Sequence, residues 1–292
     1  MLQNQLQNLE LNTSEQTNAP VKVCWNLTSR CNLQCKFCYG PQNIKQELTT
    51  TQAKQILDKL KKAGVKRIVL SGGEPLLRKD IYKIIRHAHS LGFAVSLATN
   101  GLLLNEAFLD KVKKHLSLIE LTIDGPDNNT EKAMRGNEQI FTNLMQKIEL
   151  IKSKDIPVKI NTMVCKKNLA LIGQIGLIVK KYNPSCWKIF QFIPKNRGQF
   201  CKEEFEITSK EFEQLKQKIT NKFPELNLIW APKDFFKGSY FDIYPNGNVM
   251  VPGIEEDNLI GNILTQSVEE LWNNDLLDKE KHFQQTEVPY ES

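Results

Sequence analysis

Three thiols are the residues best placed to do chemistry: Cys31, Cys35 and Cys38, in the run Cys31-Asn-Leu-Gln-Cys35-Lys-Phe-Cys38. They follow an apolar stretch at residues 21–25 and have three and then two residues between them. A closed structural zinc site takes four ligands, and a complete iron–sulfur cubane also takes four, one per iron. Three cysteines on one loop with no fourth close by describe a [4Fe–4S] cluster with one iron open to another molecule. A zinc loop completed by a distant residue remains an alternative at this point. So do three small apolar side chains that happen to be neighbours, since cysteine packs readily in cores.

The loop must be held by the elements around it, and these alternate along the chain. Apolar β-type runs at residues 21–26, 65–70, 95–98, 118–123, 158–164 and 187–192 are separated by helical patterns near 48–60, 80–91, 105–116, 141–152 and 169–182. In the first helix Ala53, Ile56, Leu57 and Leu60 recur at helical spacing, with a threonine to cap it and Gly64 to stop it. A strand–helix–strand rhythm predicts parallel strands joined by right-handed crossovers. The first four strands end in the cysteine loop, Gly72-Gly73-Glu74-Pro75, Thr99-Asn100-Gly101 and Asp124-Gly125-Pro126. Polar turns gathered at one end of several strands suit a barrel, whose site lies on that end. The turn after the first strand lacks Gly-x-Gly-x-x-Gly, which argues against a dinucleotide-binding sheet. The expectation is an α/β fold, a partial (β/α)6 TIM-like barrel over residues 21–206.

Residues 207–292 read as an α+β extension that closes the barrel. It holds a helix with Phe212, Leu215 and Ile219 on one face, and a hairpin around Pro245-Asn246-Gly247. A short helix at 267–273 turns Val268, Leu271 and Trp272 inward. Residues 1–20, rich in Asn, Gln and Thr, are expected to form a disordered tail and lack the pattern of a signal peptide.

The 292 residues are 40% hydrophobic and 25% charged, with 39 Lys and Arg against 33 Asp and Glu. The lysines are scattered over helical faces, with no tract that interleaves dense basic charge and aromatics, so nucleic acid is not indicated. No apolar run is long enough to span a bilayer, and a soluble, cytoplasmic protein is expected. Four further cysteines, Cys24, Cys165, Cys186 and Cys201, are too scattered for a disulfide framework. Cys24 and Cys165 lie in apolar runs and read as core; Cys186 and Cys201 read as packed or solvent-facing.

Cys-x3-Cys-x2-Cys after a first strand, with Phe37 before the last cysteine and Gly-Gly-Glu-Pro after a second strand, resembles the radical S-adenosylmethionine superfamily. The likeness spans about residues 21–192. It implies that Cys31, Cys35 and Cys38 hold three irons of a [4Fe–4S] cluster and that S-adenosylmethionine chelates the fourth. Phe37, Gly72, Gly73, Glu74, Thr99, Asn100, Thr122, Asp124 and Arg135 are the implied S-adenosylmethionine contacts. Glu74 and the two glycines are expected against its amino group. The resemblance also implies an external one-electron donor of the flavodoxin or ferredoxin kind.

Within that superfamily, Lys159-Ile-Asn161 and Trp187-Lys188-Ile-Phe190-Gln191 are similar to segments of viperin and its prokaryotic relatives, which dehydrate a nucleoside triphosphate. The likeness implies substrate contacts at Lys159, Asn161 and Lys188, with Tyr240 near the reacting sugar and Tyr240 and Lys188 as the catalytic residues. Lys159 and Asn161 alternate on one strand and so face one lumen, where lysines require an anion. Asp124-Gly125-Pro126, Arg135-Gly136 and the C-terminal Pro-Asn-Gly hairpin instead resemble peptide-modifying members with a SPASM-type tail. Val251-Pro252-Gly253 stands where such tails carry cysteine. The substrate is therefore a small molecule, foremost an anionic nucleotide, or a peptide. A non-enzymatic metal-binding module is the remaining alternative.

Overall fold

The computed structural model describes residues 18–286. Residues 1–17 of the expected disordered tail, and 287–292 of the extension, lie outside the described residues.

The chain opens with β1 (Lys22–Asn26), α1 (Thr50–Lys62), β2 (Arg67–Ser71), α2 (Ile81–Ser90), β3 (Ala94–Ala98) and α3 (Glu106–Val112). It continues through β4 (Leu118–Thr122), α4 (Asn128–Arg135), α5 (Ile140–Lys152), β5 (Val158–Val164), α6 (Ile172–Tyr182) and β6 (Cys186–Gln191). Then come α7 (Lys202–Phe205), α8 (Ser209–Lys222), β7 (Leu228–Ala231), β8 (Asp242–Ile243), β9 (Asn248–Pro252), β10 (Asp257–Asn262), α9 (Val268–Trp272) and α10 (Lys279–Thr286). Strands β1 to β6 lie side by side in chain order and all pair parallel, as the rhythm predicted. This is the partial barrel.

Period two sorts the side chains of these strands onto two faces. Val23 and Trp25, Ile68 and Leu70, Val95 and Leu97, Ile119 and Leu121, and Trp187 and Ile189 are all fully buried. They belong to one continuous core with Ile56, Leu57, Leu60, Ile84, Ile85, Leu144, Ile148, Ile175 and Val179 of the surrounding helices. Removing each such side chain from water contributes about 1.5–3 kcal/mol. The alternate residues face the lumen and carry the polar chemistry.

The flanks of the sheet extend beyond the six expected strands. The order is β10-β9-β8-β1-β2-β3-β4-β5-β6-β7, with β7 parallel to β6 at one edge and β8 parallel to β1 toward the other. The Pro-Asn-Gly hairpin is present as β8 and β9, antiparallel around Gly247. β10 adds to β9 with an irregularity between Leu259 and Gly261. β7, β10, α4, α7 and α10 are absent from the sequence-based expectation. β7 has only four residues, and the polar runs Asn-Asn-Thr-Glu-Lys-Ala-Met-Arg and Lys-Glu-Lys-His-Phe-Gln-Gln-Thr carry little apolar periodicity. The chain from β7 to β8 has to pass from one edge of the sheet to the far side of β1. Residues 232–241 therefore cross the gap that the backbone ladder leaves open.

Capping fixes the helix starts. Thr49 and Gln52 form a reciprocal box at α1, as do Thr208 and Glu211 at α8. Among the described residues no helix is long and apolar enough to cross a membrane.

Candidate active site

The cysteine loop leaves β1 and is seated on the turn after β2. Gly73 N donates to Thr28 O at 2.7 Å, and Glu74 N donates to Arg30 O at 2.8 Å. A β-carbon on Gly72 would stand 2.4 Å from Thr28 O, and one on Gly73 would stand 2.3 Å from Arg30 O. The glycines are thus required by the chain's own backbone, which passes against them at the root of the loop.

Glu74 is fully buried, and its carboxylate is an anchor. Oε1 accepts from Leu76 N at 3.0 Å and Thr99 Oγ1 at 2.7 Å, while Oε2 accepts from Asn100 N at 2.8 Å. Burial raises its pKa against the pull of these bonds. The turns after β2 and β3 are locked together by this one side chain. Asn100 then reaches the loop itself, donating to Asn32 Oδ1 at 2.7 Å and pointing toward Cys31 Sγ at 3.9 Å.

The three thiols share this loop, Cys31 exposed and Cys35 and Cys38 half-buried. Leu33 N points at Cys31 Sγ at 3.4 Å, and Gln42 Nε2 at Cys38 Sγ at 3.6 Å. Burial pushes the Cys35 thiol up to about 11, opposed by the neighbouring Arg135 guanidinium. Among the described residues no three Cys, His, Asp or Glu side chains stand at metal-binding distances from one another. The donor set nonetheless fits a cluster bound by three thiolates, with N–H groups and one guanidinium directed at sulfur. The other cysteines are elsewhere. Cys165, Cys186 and Cys201 are buried, while Cys24, expected in the core, is half-buried on the wall of the lumen.

Phe37 packs against Phe205, ring centroids 5.9 Å apart, beside Met134, Met163, Cys165, Phe192 and Cys201. Arg135, at the end of α4, is buried; its Nη1 donates to Thr122 O at 3.1 Å and its Nε lies 3.7 Å from Asp124 Oδ2. Asp124 Oδ1 accepts from Met163 N at 2.8 Å, and burial raises its pKa against the Arg135 charge. Glu131, unremarked in the sequence, accepts from the backbone N–H groups of Asp124 and Gly125 at 2.6 and 3.0 Å. Burial pushes its carboxyl up to about 7.

The second group of predicted residues lines a cavity of about 260 Å³ in the barrel. Thr122, Lys159, Asn161, Lys188 and Tyr240 all face it, and Tyr39, Gly40 and Pro41 connect it to the cysteine loop. Thr122 touches both groups, its side chain on the cavity and its carbonyl on Arg135. Lys159 already has an anion, Glu120, at 2.9 Å, and Asn161 donates to the same carboxylate at 3.2 Å. Burial opposes ionisation of Glu120, yet the Lys159 charge and these bonds hold its pKa below the ordinary value. Glu120 was legible: it is the charged residue within Leu-Ile-Glu-Leu-Thr, on the alternate face.

Lys188 differs. Its Nζ donates to Tyr240 Oη at 3.0 Å and lies 4.7, 4.5 and 5.5 Å from the ring centroids of Phe235, Phe236 and Tyr240. Burial, then the charges of Lys159 and Lys22, lower its pKa well below that of an ordinary lysine. Lys22, on β1, lies 5.1 Å from the Tyr240 ring. Among the described residues no carboxylate pairs with Lys22 or Lys188. On the opposite flank Lys195, after β6, pairs with Asp257 of β10 at 2.5 Å, and Tyr244 Oη donates to Asp257 at 2.6 Å. Asp242 lies beside them; burial and the Asp257 charge push its carboxyl up to about 7.

Comparison with known proteins bears on this arrangement. The model of the radical SAM superfamily matches residues 25–169. An AdoMet-dependent heme synthase of Methanosarcina barkeri is 34% identical over 203 residues, 68% of this chain and 57% of that protein. An S-adenosylmethionine-dependent nucleotide dehydratase of Flammeovirga pacifica is 33% identical over 241 residues, 77% of this chain and 80% of that one. The chain thus spans little more than half the length of the first relative and most of the second. Among solved structures, SuiB of Streptococcus suis bound to precursor peptide SuiA superposes with a TM-score of 0.71. It covers 91% of this chain and 67% of its own at 16% identity, a likeness of fold. The cysteine loop seated on its glycine turn, the six parallel strands and these relatives together place the chain in the radical SAM superfamily.

Proposed function

We propose that the chain is a radical SAM enzyme acting on an anionic nucleotide, its cysteine loop holding a [4Fe–4S] cluster and S-adenosylmethionine. The observation that carries the anionic substrate is the pair Lys22 and Lys188. Two lysine amines converge on Tyr240 in the lumen, and among the described residues no carboxylate stands within ion-pair distance of either, Glu120 and Asp242 acting on them from farther off. A desolvated cation without an anion is costly, and a phosphate chain supplies the missing charge. The dehydratase relative, matched over most of both chains, agrees with this reading.

Cys31, Cys35 and Cys38 would ligate three irons, and Phe37 would shield that side. Thr99, Asn100, Thr122, Asp124 and Arg135, with the backbone of Gly72 and Gly73, would contact the methionine and ribose groups. When bound, these groups supply a 5′-deoxyadenosyl radical that removes one hydrogen atom from the substrate. This chain's residues do the rest. Lys22, Lys159 and Lys188 hold the phosphates, Asn161 and Glu120 fix Lys159, and Tyr240 presents its hydroxyl to the sugar. A flavodoxin- or ferredoxin-like protein would deliver the electron.

Anaerobically reconstituted protein, given reductant, S-adenosylmethionine and each nucleoside triphosphate, should yield 5′-deoxyadenosine and one dehydrated nucleotide. Formation of 5′-deoxyadenosine that no triphosphate stimulates would sink the nucleotide and leave a peptide substrate. Absence of iron and of 5′-deoxyadenosine would sink the enzyme.

A further inference from the structure

The segment from β7 to β8 carries the aromatic side of the cavity, and it has no strand partner of its own between Pro232 and Tyr240. Phe235, Phe236 and Tyr240 surround the Lys188 ammonium from this segment, and Phe236 and Tyr240 line the cavity. Beside the turn bonds within the segment, five of its backbone carbonyls are met by the last helix and the residue before it. Lys281 Nζ donates to Asp234 O at 2.5 Å and to Lys237 O at 3.1 Å. Gln285 Nε2 donates to Phe235 O at 2.5 Å, and Asp278 N to Gly238 O at 2.9 Å. His282 Nδ1 meets Ser239 O at 2.8 Å.

His282 also reaches the start of the neighbouring strand, β1. Its Nε2 accepts from Val21 N at 3.1 Å and lies 3.5 Å from Lys22 N. A backbone N–H can only donate and a carbonyl can only accept, so the ring's state follows. Nε2 carries the lone pair and Nδ1 the proton; the imidazole is neutral. It is 1% exposed and packs edge-on to Trp272 at 4.9 Å. One ring thus fixes the backbone beside Lys22 and the backbone beside Tyr240, the two residues that meet in the cavity.

We propose that α10 is a clasp that sets the 232–240 segment as the substrate-facing wall, with His282 as its positioning residue. The clasp acts on how the substrate is held, and its wall meets the cysteine loop at one place, where Phe236 packs on Tyr39 with ring centroids 6.4 Å apart. The role of the wall rests on the proposed nucleotide site, whereas the clasp itself does not.

The test is hydrogen–deuterium exchange on the full reconstituted protein without substrate, followed by kinetics with the accepted triphosphate. In His282→Ala the amides of residues 233–240 should exchange about tenfold faster, the loss of one buried hydrogen bond, while those of α1 keep their rates. His282→Gln, which retains a donor and an acceptor, should recover part of the protection. Lys281→Ala, a change on a half-buried side chain outside the core, should loosen residues 234–237 alone. KM should rise about tenfold in His282→Ala, with a smaller change in kcat. Unchanged exchange in both alanine variants would overturn the clasp. Faster exchange with an unchanged KM would overturn its role in holding substrate while leaving the nucleotide reading standing. If no triphosphate turns over in the wild type, the nucleotide reading fails and the exchange result still decides the clasp.

Discussion

Gly73→Ala offers the sharpest test of how the cysteine loop is held. The added methyl would stand 2.3 Å from Arg30 O, 2.7 Å from Arg30 C and 2.9 Å from Ser29 O. Ordinary carbon contacts lie near 3.5 Å, so the backbone at 28–30 must retreat by about 1 Å. That retreat stretches the bonds from Gly73 N to Thr28 O and from Glu74 N to Arg30 O, now 2.7 and 2.8 Å. Two backbone bonds at about 1 kcal/mol each, plus about 1–3 kcal/mol of overpacking, make a loss of roughly 4 kcal/mol. At about 2–4 °C per kcal/mol for a chain of this size, Tm should fall by about 10 °C. Because the displaced backbone leads into Cys31, iron per chain after anaerobic reconstitution should fall as well. Gly64→Ala is the control: its φ is positive, unlike that of Gly73, and no atom lies within 4 Å of the new methyl. It should cost about 1–2 kcal/mol and leave iron loading unchanged. A Gly73→Ala protein that melts within about 2 °C of wild type and loads iron normally would refute the reasoning.

Other expectations rest on separate contacts. Cys31→Ala, Cys35→Ala and Cys38→Ala should each lose cluster loading by iron and sulfide analysis; full loading in all three would remove the ligand assignment. Glu120→Gln leaves Lys159 buried without its counter-charge and should cost about 3–5 kcal/mol in chemical denaturation. Adding Lys159→Met should recover most of that loss, and no recovery would mean the pair is not coupled. Lys188 has a folded pKa below its unfolded value near 10.4, so the stability it confers is present above that value and lost as pH falls. Lys188→Met should therefore be the more stable protein at neutral pH, with a gap that closes toward pH 10; a gap independent of pH would show that burial of charge is not the cause. Burial lowers His282 to about 4, against an unfolded value near 6.5, so its contribution is complete above about pH 6.5 and is lost as pH falls through 4. Relative to His282→Gln, wild type should lose about 3 kcal/mol over that window, read from denaturation midpoints; parallel pH profiles would contradict it.

The parallel strands were legible because two periods coexist in the sequence, three to four in the helices and two in the strands. Alternation also separates Lys159 and Asn161 from Ile160 in the sequence itself. What stayed hidden was pairing at a distance. Nothing local tells that Glu120 meets Lys159 across a strand pair, or that Lys22 and Lys188 converge on Tyr240. Glu74 read as a cofactor contact because a carboxylate suits an ammonium, but in the fold its oxygens are bound by Leu76, Thr99 and Asn100. α10 was invisible for a related reason. Its role lies in side-chain bonds to backbone carbonyls forty residues and more away, and such bonds leave no hydrophobic pattern.

The pair Lys195–Asp257 joins the end of β6 to the start of β10, across the side of the barrel that no strand ladder seals. With Tyr244 on the same carboxylate, and the 232–240 segment spanning below, that side is a seam laced by side chains. Elsewhere around the lumen, widening the barrel would break rows of backbone hydrogen bonds. Along this seam the contacts that would have to part are side-chain ones, the Lys195–Asp257 pair and the Lys188–Tyr240 bond among them. The molecule therefore has a direction of least resistance built into its wall, and it runs past Lys195, Asp257 and Tyr39 into the chamber that holds Lys188.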